Sequence, residues 1–252
     1  MIRASIDSTL PQETISVADG YKRLKPLIEA LGRIHPSMKS WVEIPQDDDE
    51  LPVSFFDEKA FISRVQRNVD QAREEYGDIP HIESIRCNLT TAANEVDWLK
   101  AGRVLLDYEP GYGRVVLQIL RPVEALGEKE ALRVVKACVA ALGQLEHAAF
   151  ISVDAHANLS DGRPGFEMYM GERQLFPHRR WLGWMGFVPH KVESRHLPEA
   201  AELIPVSDKG TVIVAVNECF DLHNPDHIKK AHEVESRMAF LGLLEVTDKT
   251  LL

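Results

Sequence analysis

Residues 178–189 read HRRWLGWMGFVP, and the reading of this stretch decides the fold. The bases His178, Arg179 and Arg180 lead into Trp181, Leu182, Gly183, Trp184, Met185, Gly186, Phe187, Val188 and Pro189. Successive side chains of a strand point to opposite faces of its sheet. Trp181, Met185 and Phe187 then share one face, and Leu182, Trp184 and Val188 share the other, so both faces are apolar. A strand of that kind sits inside a sheet covered on both sides rather than on an open binding surface. Gly183 and Gly186 leave room for close backbone approach. Leu182–Val188 is therefore expected to be a buried strand, with a tryptophan available as an interface anchor.

Working outward, Thr211–Val216 reads as another strand, entered from the turn Ser207-Asp208-Lys209-Gly210. The last helix is sharply punctuated. Asn224 suits the N-cap, Pro225 the first helical position and Asp226 the first turn. Ile228, Ala231, Glu235, Met238 and Leu241 follow at helical spacing, and Gly242 ends the run with Leu243 and Leu244 folding back.

On the N-terminal side, Met1–Ser8 and Trp41–Ile44 read as strands. Val17–Gly32 reads as a helix in which Pro26 predicts a kink or a late start. Lys59–Tyr76 is a second helix with Gly77 placed as its C′ residue, and Glu128–Leu145 a third. Ile82–Leu89 is expected to be a strand. Arg103–Tyr108 and Arg114–Leu120 form a hairpin across Glu109–Gly113, and Ala149–Val153 is a further strand before a loop-rich stretch, Leu159–Gly171. Hairpins beside helices give an α+β fold, a mostly antiparallel sheet packed with about four helices. One domain over residues 1–252 is expected. The Asp47–Pro52 loop, the Leu159–Gly171 stretch and the region near 110–125 are the places where it could subdivide.

The chain carries 29 basic and 39 acidic residues, a net charge of −10. That field repels phosphate and disfavours nucleic-acid binding, while it attracts basic partners. No apolar run approaches the ~20 residues of a membrane helix, and the first residues lack the apolar core of a secretory signal, so a cytoplasmic location is expected. The cysteines Cys87, Cys138 and Cys219 are far apart and read as reduced, buried thiols.

The search for chemistry yields little. There is no HExxH, EF-hand loop, GxSxG or phosphate loop. Asp154 and His156 alternate at the end of a strand and would share a face, as two ligands of a metal-dependent enzyme could, but no third ligand lies at a matching spacing. His223, His227 and His232 read as surface and cap histidines. The run Asp47-Asp48-Asp49-Glu50 reads first as a solvated loop, second as an anionic patch for a basic partner and third as a catalytic carboxylate pair, which a loop would hold poorly. No cofactor is called for.

The order of features in the last third is more specific. It runs Trp181-Leu182-Gly183-Trp184-Met185-Gly186-Phe187-Val188-Pro189, Lys209-Gly210-Thr211, Phe220-Asp221, Asn224-Pro225-Asp226-His227, then Ala239-Phe240-Leu241-Gly242. It resembles the immunity protein 52 family of bacterial polymorphic-toxin systems, as does the early stretch with Gly20-Tyr21, His35-Pro36 and Trp41. The resemblance implies a non-enzymatic antitoxin whose partner is a cognate toxin, often a nuclease of restriction-endonuclease fold delivered by contact-dependent or type VI secretion. It makes Trp181, Gly183, Trp184, Gly186, Gly210, Phe220, Asn224, Pro225 and Gly242 structural positions. For toxin contact, the expectation falls first on Asp47, Asp48, Asp49 and Glu50, and second on Asp161, Glu167 and Glu172.

Overall fold

The computed structural model describes residues 1–45, 50–77 and 79–251. Among them eleven strands form one sheet: β1 (Arg3–Thr9), β2 (Val42–Glu43), β3 (Val53–Ser54), β4 (Cys87–Thr90), β5 (Val104–Glu109), β6 (Arg114–Leu120), β7 (Phe150–Asn158), β8 (Phe166–Met168), β9 (Met185–Val188), β10 (Glu202–Val206) and β11 (Gly210–Val214). The order is β10-β11-β9-β7-β1-β6-β5-β4-β2-β3, with β8 also on β7, and every strand pairing is antiparallel. Four long helices accompany it: α1 (Val17–Ile34), α2 (Glu58–Tyr76), α5 (Glu128–Leu142) and α7 (Pro225–Phe240). Three single-turn helices complete the set: α3 (Glu95–Trp98), α4 (Pro122–Leu126) and α6 (Tyr169–Glu172). The α+β class holds.

The periodicity of the strands explains the layering. In β5, Val104, Leu106 and Tyr108 are buried while Leu105, Asp107 and Glu109 are not. The buried set shares its face with Ala4, Ile6, Leu117, Ile119, Ile151 and Val153 through the cross-strand register. α5 packs against β1, β9 and β11, α1 lies beside α5, and α2 beside α1. Their apolar stripes cover that face: Tyr21, Leu24, Ile28 and Leu31 from α1, Phe61 and Val65 from α2, and Val134, Val135, Cys138 and Val139 from α5 are all buried. Pro26 does not delay α1, which starts at Val17, where Ser16 caps Asp19 N–H (3.2 Å). The buried stripe outweighs the hydrogen bond that proline removes.

Several local expectations are overturned. Ile82–Leu89 is a strand only from Cys87. Ile85 N–H donates to Ile15 O (2.9 Å), and the Ile85 side chain fills the notch at Gly20, where a Cβ would lie 2.4 Å from its methyl group. Gly77 has φ −45°, so it continues the helical turn instead of capping it in the left-handed region. β7 runs on to Asn158, so Asp154 and His156 lie within the sheet. The stretch expected to be loop contains β8 and α6. β10 escaped notice because Pro205 interrupts its pattern, yet β10 is an edge strand, where proline is tolerated.

The stretch 181–188 is central but not a strand throughout. Only Met185–Val188 is strand, between β11 and β7. Met185, Phe187 and Val188 are buried, as both-sided burial requires. Before it, Gly183 turns with φ +67°. Val153 N–H donates to Leu182 O (3.2 Å), and Trp184 N–H to Val153 O (3.0 Å). The glycines do what close approach demands: a Cβ at Gly186 would stand 2.1 Å from Ile151 O, and one at Gly210 2.1 Å from Val188 O. Trp184 is buried, with its indole N–H on Val216 O (3.0 Å), Phe220 is buried against Tyr169, and Trp181 is half-buried.

Candidate partner-binding surfaces

α7 is joined to the loop before β9 by polar side chains. Asn224 caps it through Asp226 N–H (3.0 Å), with Pro225 as its first residue. Gly242 ends it at φ +73°, while Leu243 N–H reaches back to Met238 O (2.9 Å). Its inward face carries Glu235, only 1 % exposed. One carboxylate oxygen accepts from Leu182 N–H (2.9 Å) and Gly183 N–H (3.1 Å). Burial raises the Glu235 pKa, opposed by these backbone donors. His232 donates from Nε2 to Arg173 O (2.6 Å), His227 Nδ1 accepts from Asp221 N–H (3.0 Å), and His223 Nε2 meets Glu167. His223 is exposed, as the surface reading expects, whereas His227 is buried and His232 half-buried, each in its own contact.

These contacts define what the second acidic loop offers. Glu167 is 7 % exposed and shared between His223 and Arg173 (2.9 Å). Glu172 accepts from Met168 N–H (2.8 Å). Asp161 lies at the exposed tip, paired with Arg163 (2.6 Å). The structure therefore does not bring Asp161, Glu167 and Glu172 together as one anionic patch.

Asp47, Asp48 and Asp49 lie outside the described residues; Glu50, the last residue of the run, is held by arginines. Glu50 pairs with Arg64 (3.0 Å) and with Arg67. Arg64 also bonds Glu43 (3.3 Å) and Leu51 O (3.3 Å), and Asn68 donates to Glu43 (3.2 Å). Burial pushes the Glu43 carboxyl up to about 7, against the pull of Arg64. Glu50 is thus an internal anchor on α2, a role its place in an acidic run concealed.

Asp154 and His156 do share a face of β7, with Asp154 Oδ2 and His156 Nε2 4.0 Å apart. Both oxygens of Asp154 accept backbone N–H groups, from Tyr169 (2.8 Å) and Met170 (3.4 Å), and so hold α6. Burial pushes Asp154 up to about 7. The His156 ring stacks on Phe166 at 5.3 Å. Among the described residues no group of three or more His, Cys, Asp or Glu side chains is placed to hold a metal ion.

On the sheet face opposite α1, α2 and α5, where α6 sits on Asp154, the cross-strand register builds rows that the sequence alone did not single out. Register aligns Asp7, Val116, Asp107 and Asn88 in one row, and Ser5, Gln118, Leu105 and Thr90 in the next. Asp7 pairs with Arg114 (3.0 Å), and Arg86 with Glu109 (2.8 Å). Burial, then the neighbouring Glu109, raises the Asp107 pKa. In these rows Ser5, Thr90 and Val116 are buried and Asn88 is exposed.

A model of the family described as immunity protein 52 matches residues 122–247, half of the chain, and the chain belongs to that family. The match spans all the positions from Trp181 to Gly242 to which the resemblance assigned structural roles. No curated protein matches the sequence significantly. Among the described residues no helix is long and apolar enough to cross a membrane.

Proposed function

We propose that this chain is a cytosolic antitoxin, without catalytic activity of its own, that binds and neutralises a cognate secreted toxin. Membership of the immunity protein 52 family carries the reading. The toxin class that fits best is a nuclease of restriction-endonuclease fold, delivered between cells by contact-dependent or type VI secretion. A nuclease surface that holds nucleic acid is basic, and a chain of net charge −10 is steered onto it. The whole chain acts as one immunity domain, binding neither nucleic acid nor membrane.

The first toxin contact is assigned to Asp47, Asp48 and Asp49, which leave Glu50 free to anchor the loop on Arg64 and Arg67. Co-expression of the chain with the toxin encoded beside it tests the reading. Growth is expected to be restored and a stable complex recovered. Arrested growth with no complex refutes it. Replacing all three aspartates by lysine, with Glu50 kept, should weaken binding and flatten its salt dependence. Unchanged affinity at every salt concentration removes the loop from the interface.

A further inference from the structure

At one corner of the sheet face opposite α1, α2 and α5, two cations, Arg3 and Arg103, stand together. Arg3 of β1 is opposite Leu120 of β6, and Leu120 N–H donates to Arg103 O (2.9 Å), so Arg103, Leu120 and Arg3 form one row across three strands. Arg103 is only 9 % exposed. Its Nε and Nη1 are buried and have no hydrogen-bond partner among the described residues. A buried guanidinium normally satisfies its donors, because leaving them unpaired forfeits hydration without replacement. The guanidinium carbon lies 4.1 Å over the Trp98 ring. Its charged neighbour is a second cation, Arg3; after burial, that repulsion is what depresses the Arg103 pKa. Neighbouring cations are spent elsewhere: Arg121 on Glu124 (3.2 Å) and Leu99 O, Lys100 on Asp97 (3.7 Å).

On either side of Trp98 in the chain stand two exposed apolar residues. Val96 is 89 % exposed and Leu99 73 %, with Trp98 between them partly open. A small inorganic anion would satisfy the guanidinium but would leave these apolar side chains bare. A protein segment uses both, and tryptophan with arginine is the pairing most enriched where interfaces concentrate their energy.

We propose that Arg103, Arg3 and the apolar residues Val96, Trp98 and Leu99 form a docking site for a carboxylate-bearing, apolar-flanked segment of the partner protein. This rests on the antitoxin reading, with the toxin as that partner. The carboxylate accepts from Arg103 Nη2, the guanidinium nitrogen that is not buried, and its charge offsets the cation whose Nε and Nη1 are buried without partners. The site lies ahead of the family-matched segment 122–247, which suits a surface that distinguishes one toxin from another.

The test measures affinity for a catalytically silenced form of the toxin, beside melting temperature, for three variants of the full chain. Arg103→Met removes an uncompensated buried cation, so its melting temperature is expected to hold or rise while affinity falls at least ~30-fold. A purely structural arginine would move both in the same direction. The double variant Val96→Asp/Leu99→Asp changes only exposed positions, so it folds as the parent does and is expected to lose ~30-fold or more in affinity. Arg3→Gln should weaken binding and reduce its salt dependence. If the parent binds and protects but Val96→Asp/Leu99→Asp binds equally well, the docking site is wrong and the antitoxin reading stands. If the parent binds no toxin, both fall. Sodium sulfate and acetate are titrated separately against the Trp98 indole resonance. Saturation by either at sub-millimolar concentration, with toxin affinity unaffected, would make this a small-anion site and overturn the proposal.

Discussion

Replacing Glu235 by alanine tests whether the stretch 181–184 is held in place from α7. The carboxylate accepts two buried backbone N–H groups, those of Leu182 and Gly183. Alanine leaves both without a partner in a site too enclosed for ready hydration. Each orphaned donor costs about 1–3 kcal/mol, and the vacated volume adds to it. Removal of a buried carboxylate, whose pKa burial already raises, returns part of that loss. The net expectation is a loss of about 3 kcal/mol, a fall in melting temperature of roughly 6–12 °C for a chain of this size. Glu235→Gln keeps an acceptor oxygen and exchanges a charged acceptor for a neutral one, so about 1–2 kcal/mol is expected. Glu233→Ala on the same helix removes an exposed carboxylate paired with Lys230 (3.0 Å) and should stay within about 0.5 kcal/mol. Urea unfolding followed by tryptophan fluorescence gives all three values. Amide exchange at Leu182 and Gly183 reports the local effect. A loss below about 1 kcal/mol for Glu235→Ala, with those two amides still protected, would refute the account.

Gly186→Ala and Gly210→Ala each place a Cβ 2.1 Å from a strand carbonyl, so each should cost about 3 kcal/mol or prevent folding, whereas Gly162→Ala meets no atom within 4 Å and costs mainly its left-handed φ of +75°; urea unfolding ranks the three. Glu43 and Asp154 both have folded pKa values raised to about 7, so the folded state holds more protons than the unfolded state between about pH 4 and 7. Stability should therefore fall as pH rises through that window, and Glu43→Gln should flatten the slope; a melting temperature that climbs from pH 5 to 7 as steeply in the variant as in the parent contradicts this. The thiols of Cys87 and Cys138 are buried, and burial pushes Cys138 up to about 12, so in the native protein an aromatic disulfide reagent should label Cys219 first and the other two only after unfolding.

The family and much of the fold were legible in the sequence because the signals concerned are local. The cap and stop of α7 rest on Asn224, Pro225 and Gly242, whose conformational preferences act within a turn of their own position. The β5–β6 hairpin and the α1, α2 and α5 stripes follow from periodicities confined to one element. The apolar pattern of residues 181–188 placed the stretch inside the sheet, and Met185–Val188 is a buried interior strand. It could not show where the strand breaks, because the break is made by Glu235, a residue more than fifty positions away. Ile82–Arg86 leaves the sheet for the same kind of reason, since Ile85 fills a notch that Gly20 opens in another helix. The acidic residues show the limit most clearly. Asp161, Glu167, Glu172 and Glu50 look alike as charges in a chain, and composition supports one reading for all. Their partners separate them: Glu50 and Glu167 pair with arginines, while Glu172, on a backbone N–H, and Asp161 are both exposed. Which charges can meet a partner depends on which have already found one within the chain. Only the tertiary structure, bringing Arg64, Arg67, Arg173 and His223 to them, decides that.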